Sequence, residues 1–148
     1  MRNYQNILLA VDFSEHGSYV AQQAKHLADQ FDAHLNIIHV LDNIPMPDTP
    51  YGTVIALDTD SFDELLEAEK NKLKQISAQF DIEPARRWLV WGQPQQEIVQ
   101  IAIREQVDLI VAGSHGRHGI AMLMGSSTAM SILDHARCDV LAVYLQDS

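Results

Sequence analysis

Five short segments of this chain are apolar with little or no polar alternation: Ile7 to Val11, Leu35 to Val40, Trp88 to Trp91, Leu109 to Ala112 and Val140 to Val143. A strand with one face in water alternates apolar and polar residues, whereas a strand buried on both faces does not. Such strands belong to parallel sheets, whose crossover connections lay helices over both faces. The first strand, a helix and the second strand fit within about 35 residues, the span of a right-handed βαβ unit. The reading is an α/β fold: an open parallel five-stranded sheet with helices on both faces, as a single domain over residues 1–148. That length suits one sheet-centred core.

The helices announce themselves by period and by caps. Val20, Ala24, Leu27, Ala28 and Phe31 recur at spacings of three and four, with Ser14 as the expected cap. Ser61-Phe62-Asp63-Glu64 has capping-box spacing. In the helix it opens, Phe62, Leu65, Leu66, Leu73, Ile76 and Phe80 are expected inside, and Glu67, Glu69, Lys70, Lys72 and Lys74 on the wet side. Pro94 suits a first helical turn, followed by an inner face of Ile98, Ile101 and Ala102. Ala129, Met130, Leu133 and Ala136 predict a last helix. Residues 42–60, with Pro45, Pro47, Pro50 and Gly52, exclude a continuous helix or central strand and predict a long irregular loop. The two tryptophans and His39 read as packing and strand residues.

After the fourth strand the chain reads Gly113-Ser114-His115-Gly116, then Gly119, then Gly125-Ser126-Ser127-Thr128. Glycine lets backbone N–H groups converge on one anion, and the start of a helix leaves N–H groups unpaired. Strand, glycine loop and helix start together predict a phosphate cradle.

These residues resemble the glycine-rich nucleotide signature of the universal stress protein family. Asp12-Phe13-Ser14 after the first strand, His39-Val40 closing the second and Gly92-Gln93-Pro94 after the third are also similar to that family, so the resemblance covers nearly the whole chain. It implies a Rossmann-like adenine-nucleotide-binding fold with strand order 3-2-1-4-5, in which the first and fourth strands are neighbours. Ligands bind such sheets beyond the carboxyl ends of the strands, where the winding reverses. Asp12 and Gly113 would then face one crevice. By the same resemblance Ala10, Val11, Asp12 and Val40 would take the adenine and ribose. Ala112, Gly113, His115 and Gly116 would line the sugar and first phosphates, and Gly125, Ser126 and Ser127 would hold the outer phosphates. The implied ligand is ATP, with or without Mg2+. One departure stands out: eight residues, Arg117 to Met124, separate Gly116 from Gly125, one fewer than is usual in the family's ATP-binding members. Either the helix begins one residue early, or Ser126-Ser127 replaces the usual Gly-Ser pair. The second arrangement would put a Cβ where backbone should approach a phosphate.

Charge and cysteine content narrow the classes further. Ten Lys and Arg against twenty Asp and Glu give a formal net charge of -10, which argues against nonspecific binding to nucleic acid or to an anionic membrane. Cys138 is the only cysteine, so no intrachain disulfide can form, as suits a reducing compartment. The N-terminus has five consecutive apolar residues, too few for a signal-peptide core or a membrane span, and the expected location is cytoplasmic. Neither GxxxxGK[ST] nor GxGxxG after the first strand is present, and His115 and His118 lack nearby Cys, Asp or Glu to complete a metal site. No residue set supplies a nucleophile with its base, so the chain reads as a regulatory binding module rather than an enzyme, with at most slow ATP hydrolysis. The alternative is a stress protein that binds no nucleotide and acts through dimerisation or a protein partner. In either case the fifth strand, Val140 to Tyr144, is the expected homodimer edge. An adenylyl-transfer enzyme on the same scaffold is the remaining reading.

Overall fold

The computed structural model describes residues 3–13, 16–61, 63–114 and 138–145. The strands are β1 (Asn6–Ala10), β2 (His34–Leu41), β3 (Thr53–Val54), β4 (Arg87–Trp91), β5 (Leu109–Gly113) and β6 (Asp139–Val143); the helices are α1 (Gly17–Phe31), α2 (Glu64–Gln79) and α3 (Pro94–Arg104). They form one sheet in the order β3-β4-β2-β1-β5-β6. All neighbours are parallel except β3, which runs antiparallel to β4. The five predicted strands therefore lie in the predicted order, with β4, β5 and β6 as the third, fourth and fifth. The sheet has six strands rather than five.

The additional strand comes from the segment read as irregular. Gly52 at φ +91° turns the chain, after which Gly52 N–H donates to the Trp91 carbonyl at 2.7 Å and Ile55 N–H to the Leu89 carbonyl at 2.7 Å. Its prolines all precede Thr53, and an edge strand pairs along one side only, so the proline argument against a central strand does not reach it.

Side chains along each strand alternate between two cores. Ile7, Leu9, Val11, Ile37, Leu41, Leu89, Leu109 and Val111 face α1 and α2. Leu8, Ala10, Ile38, Val40, Val90, Ile110 and Ala112 face α3. Both faces being covered is why the sequence shows apolar runs instead of alternation.

Helix starts differ from the sequence reading. His16, not Ser14, is the N-cap of α1 and gives no side-chain cap bond; Ser14 lies outside the described residues. Asp63, not Ser61, caps α2, its Oδ1 accepting from Leu65 N–H at 2.9 Å and Leu66 N–H at 3.2 Å. The inner stripe of α2 runs through Leu66, Lys70, Leu73 and Ser77, spaced by four, three and four. Leu65, expected inside, is 64% exposed, while Lys70, expected outside, is 2% exposed. The Lys70 ammonium is accommodated because it donates to the Thr59 carbonyl at 2.7 Å and to Glu67 Oε1 at 3.3 Å. The predicted last helix falls within residues 115–137, outside the described residues.

Candidate functional site

The strand order reverses between β1 and β5. From β1 the chain moves to β2 on one side, whereas β5 and β6 lie on the other. Their register pairs Ile7 with Leu109, Leu8 with Ile110 and Leu9 with Val111. Continued by two residues, the same register brings Val11 beside Gly113, so that Asp12 leaves β1 where β5 ends. A parallel sheet opens its ligand crevice at such a switch point.

The predicted residues divide by what they can present there. Ala10, Val11, Val40 and Ala112 are buried, with side chains in one or other core, so their backbone alone could meet a ligand. Gly113 is buried at the end of β5 and pairs with Val143. Asp12 is partly exposed and carries the polar side chain of this group. A carboxylate at this place suits the hydroxyls of a ribose. His115, Gly116, Gly125, Ser126 and Ser127, together with Arg117 and His118, lie outside the described residues.

Two residues beneath β1 were not assigned a site role from sequence. His39 sits on the α2 side of β2, 5% exposed, with Nδ1 2.7 Å from the Val11 carbonyl oxygen and Nε2 3.2 Å from Glu69 Oε2. Glu69 was expected on the wet face of α2. Its side chain is only 17% exposed, because position 69 lies three residues beyond Leu66 and turns toward the sheet. The phase of Leu66, Leu73 and Ile76 carries that signal in the sequence, although the charge of the residue hides it.

Phe13 completes the arrangement. Its φ of +59° is an unusual conformation for a bulky side chain. The ring stacks on His39 with centroids 4.1 Å apart and planes at 37°. The exit of β1 is thus held from below by His39, itself held by Glu69, and strain is stored beside Asp12, as is common at ligand clamps.

On the β5 side, Ser114 N–H donates to the Val143 carbonyl at 2.8 Å, and Ser114 Oγ accepts from Leu145 N–H at 2.9 Å. These bonds tie the first loop residue after β5 to β6. At the sheet edge, Leu141 is 38% and Tyr144 76% exposed. Cys138 is partly buried and precedes β6. Among the described residues no helix is long and apolar enough to cross a membrane.

Comparison with known proteins gives a consistent result. Residues 3–144 match the model of the universal stress protein family. Universal stress protein A homolog 2 of Coxiella burnetii is 36% identical, the match covering 100% of both chains. Among solved structures, the hypothetical protein MJ0577 is similar at a TM-score of 0.70 and 25% identity, covering 99% of this chain and 100% of the other. A universal stress protein in complex with cAMP superposes at a TM-score of 0.62 and 20% identity, covering 96% and 98%.

Proposed function

Because this chain belongs to the universal stress protein family, we propose that it is a cytoplasmic stress-response module that binds an adenine nucleotide, ATP being the first candidate, and works as a homodimer rather than an enzyme. The observation that supports this reading is the switch point between the parallel neighbours β1 and β5, where the chain leaves the sheet at the same end just before Asp12 and just after Gly113. In this reading the backbone at Ala10, Val11 and Val40 takes the base, and the Asp12 carboxylate accepts from the ribose hydroxyls. Ala112, Gly113, His115 and Gly116 line the sugar and inner phosphates, and Gly125, Ser126 and Ser127 receive the outer ones, with or without Mg2+. The similar structure that holds cAMP supports an adenine nucleotide as the ligand class.

Titration calorimetry with ATP, with and without magnesium, tests the proposal. The expected outcome is saturable heat that falls at least tenfold in affinity, about 1.4 kcal/mol, in Asp12→Ala. No heat at millimolar nucleotide would overturn it. A second reading, a stress protein acting through dimerisation or a protein partner without nucleotide, is favoured by the exposed Leu141 and Tyr144 at the β6 edge. It predicts self-association with no nucleotide heat.

A further inference from the structure

A second cavity lies at the other end of the sheet, two strands from the β1/β5 crevice. It has a volume of about 770 Å³ and opens between α3 and the Tyr51-Gly52 turn that leads into β3. This is the size of a small-molecule site. Tyr51, Val90, Val99, Ile101 and Ile103 supply an apolar lining, and Tyr51 and Ile103 are 62% and 50% exposed at its mouth.

Glu97 lines the same cavity and is 7% exposed. Its carboxyl is wedged between two glycines: Oε1 lies 3.5 Å from where a Cβ on Gly52 would stand, and Cγ and Oε2 lie 2.7 Å from where one on Gly92 would stand. No hydrogen bond or ion pair reaches that carboxyl from the described residues, and burial pushes it above the ordinary carboxylate range. Arg104 shares the cavity, but it is committed elsewhere, with Nε 3.4 Å from Glu105 Oε2 and its guanidinium 4.9 Å from the centre of the Trp88 ring. A carboxyl largely withdrawn from water costs free energy that a charged donor from a ligand would offset.

We propose that this cavity binds a small organic amine, its ammonium on the Glu97 carboxylate and its apolar body against Val99, Ile103 and Tyr51. The chain's net charge of -10 favours a cationic ligand over an anionic one. The site does not depend on the nucleotide reading and is assayed in the absence of nucleotide.

The test is a titration of the full 15N-labelled chain followed by amide chemical shifts, with phenethylamine as the probe. Its neutral counterpart 2-phenylethanol and the anion 3-phenylpropionate serve as controls. Phenethylamine is expected to shift Gly52, Glu97 and Gln100 saturably at millimolar concentration, with 2-phenylethanol about tenfold weaker and the anion inert. Glu97→Gln is expected to weaken phenethylamine about tenfold while the rest of the spectrum is unchanged. Ile103→Lys, at the exposed wall, weakens it as well and serves if the first variant does not fold. The proposal is overturned if those amides do not move at ~10 mM probe, if 2-phenylethanol binds equally, or if a folded variant binds undiminished.

Discussion

Glu69 Oε2 lies 3.2 Å from His39 Nε2, so a carboxylate from α2 braces a ring whose other nitrogen meets the carbonyl of Val11, the residue just past β1. Glu69→Ala removes this brace from the buried ring. The expected cost is about 1–3 kcal/mol in urea unfolding, and Glu69→Gln, which keeps a side-chain partner, costs less. Amide exchange at Val11 to Phe13 should speed up in the alanine variant before exchange elsewhere does.

Lys70 offers a similar case where burial and charge conflict. Lys70→Met keeps the apolar stem of this buried side chain but deletes the bonds to the Thr59 carbonyl and Glu67. A loss of about 1–3 kcal/mol is expected by chemical denaturation. Limited proteolysis should then cut near Thr59 at lower protease concentration than in the parent chain.

Gly92 follows β4 at φ +155°, with the Glu97 side chain against it. In Gly92→Ala the new Cβ would stand 2.7 Å from Glu97 Cγ and Oε2, so the side chain or the turn must move. Overpacking of this kind costs about 1–3 kcal/mol. Adding Glu97→Ala should restore part of the melting temperature, a non-additivity expected of residues in contact.

Burial raises the Glu97 carboxyl from its ordinary 4.5, so the unfolded chain loses this proton at a lower pH than the folded chain does. Between the two values the folded state binds more proton, and stability from this group falls as pH rises. Below the unfolded value the contribution is fully present. Glu97→Gln removes the dependence. Unfolding free energies of the two proteins, measured from about pH 4 upward, should move in the variant's favour through that window and run parallel above it.

The proposed homodimer edge is tested by Leu141→Glu on β6. Sedimentation velocity at micromolar concentration should show a dimer in the parent chain and self-association at least tenfold weaker, about 1.4 kcal/mol, in the variant. A parent chain that is wholly monomeric at those concentrations removes the interface.

Much of this architecture was legible in the chain itself. Runs such as Ile7 to Val11 and Leu109 to Ala112 specify strands buried on both faces, since burial on both sides of a sheet removes the need for alternation. The pairing of the first strand with the fourth was implied by the family resemblance, which was itself readable from the motifs at Asp12-Phe13, at His39-Val40 and at the glycines after residue 112. Those features are local, or repeat a pattern, and each residue states its own preference.

The tertiary structure decided what no local preference contains. On α2 the face against the sheet takes Lys70 and leaves Leu65 outside, because the Thr59 carbonyl and Glu67 stand where they can receive the ammonium. Thr53 and Val54 became a strand only because the edge of β4 offered carbonyl and N–H groups to a two-residue segment too short to hold itself. The Glu69-His39-Val11 contact and the Glu97 cavity each join residues distant along the chain. In both, packing settled how far a charged side chain was withdrawn from solvent, and the free energy of a charge depends on what surrounds it.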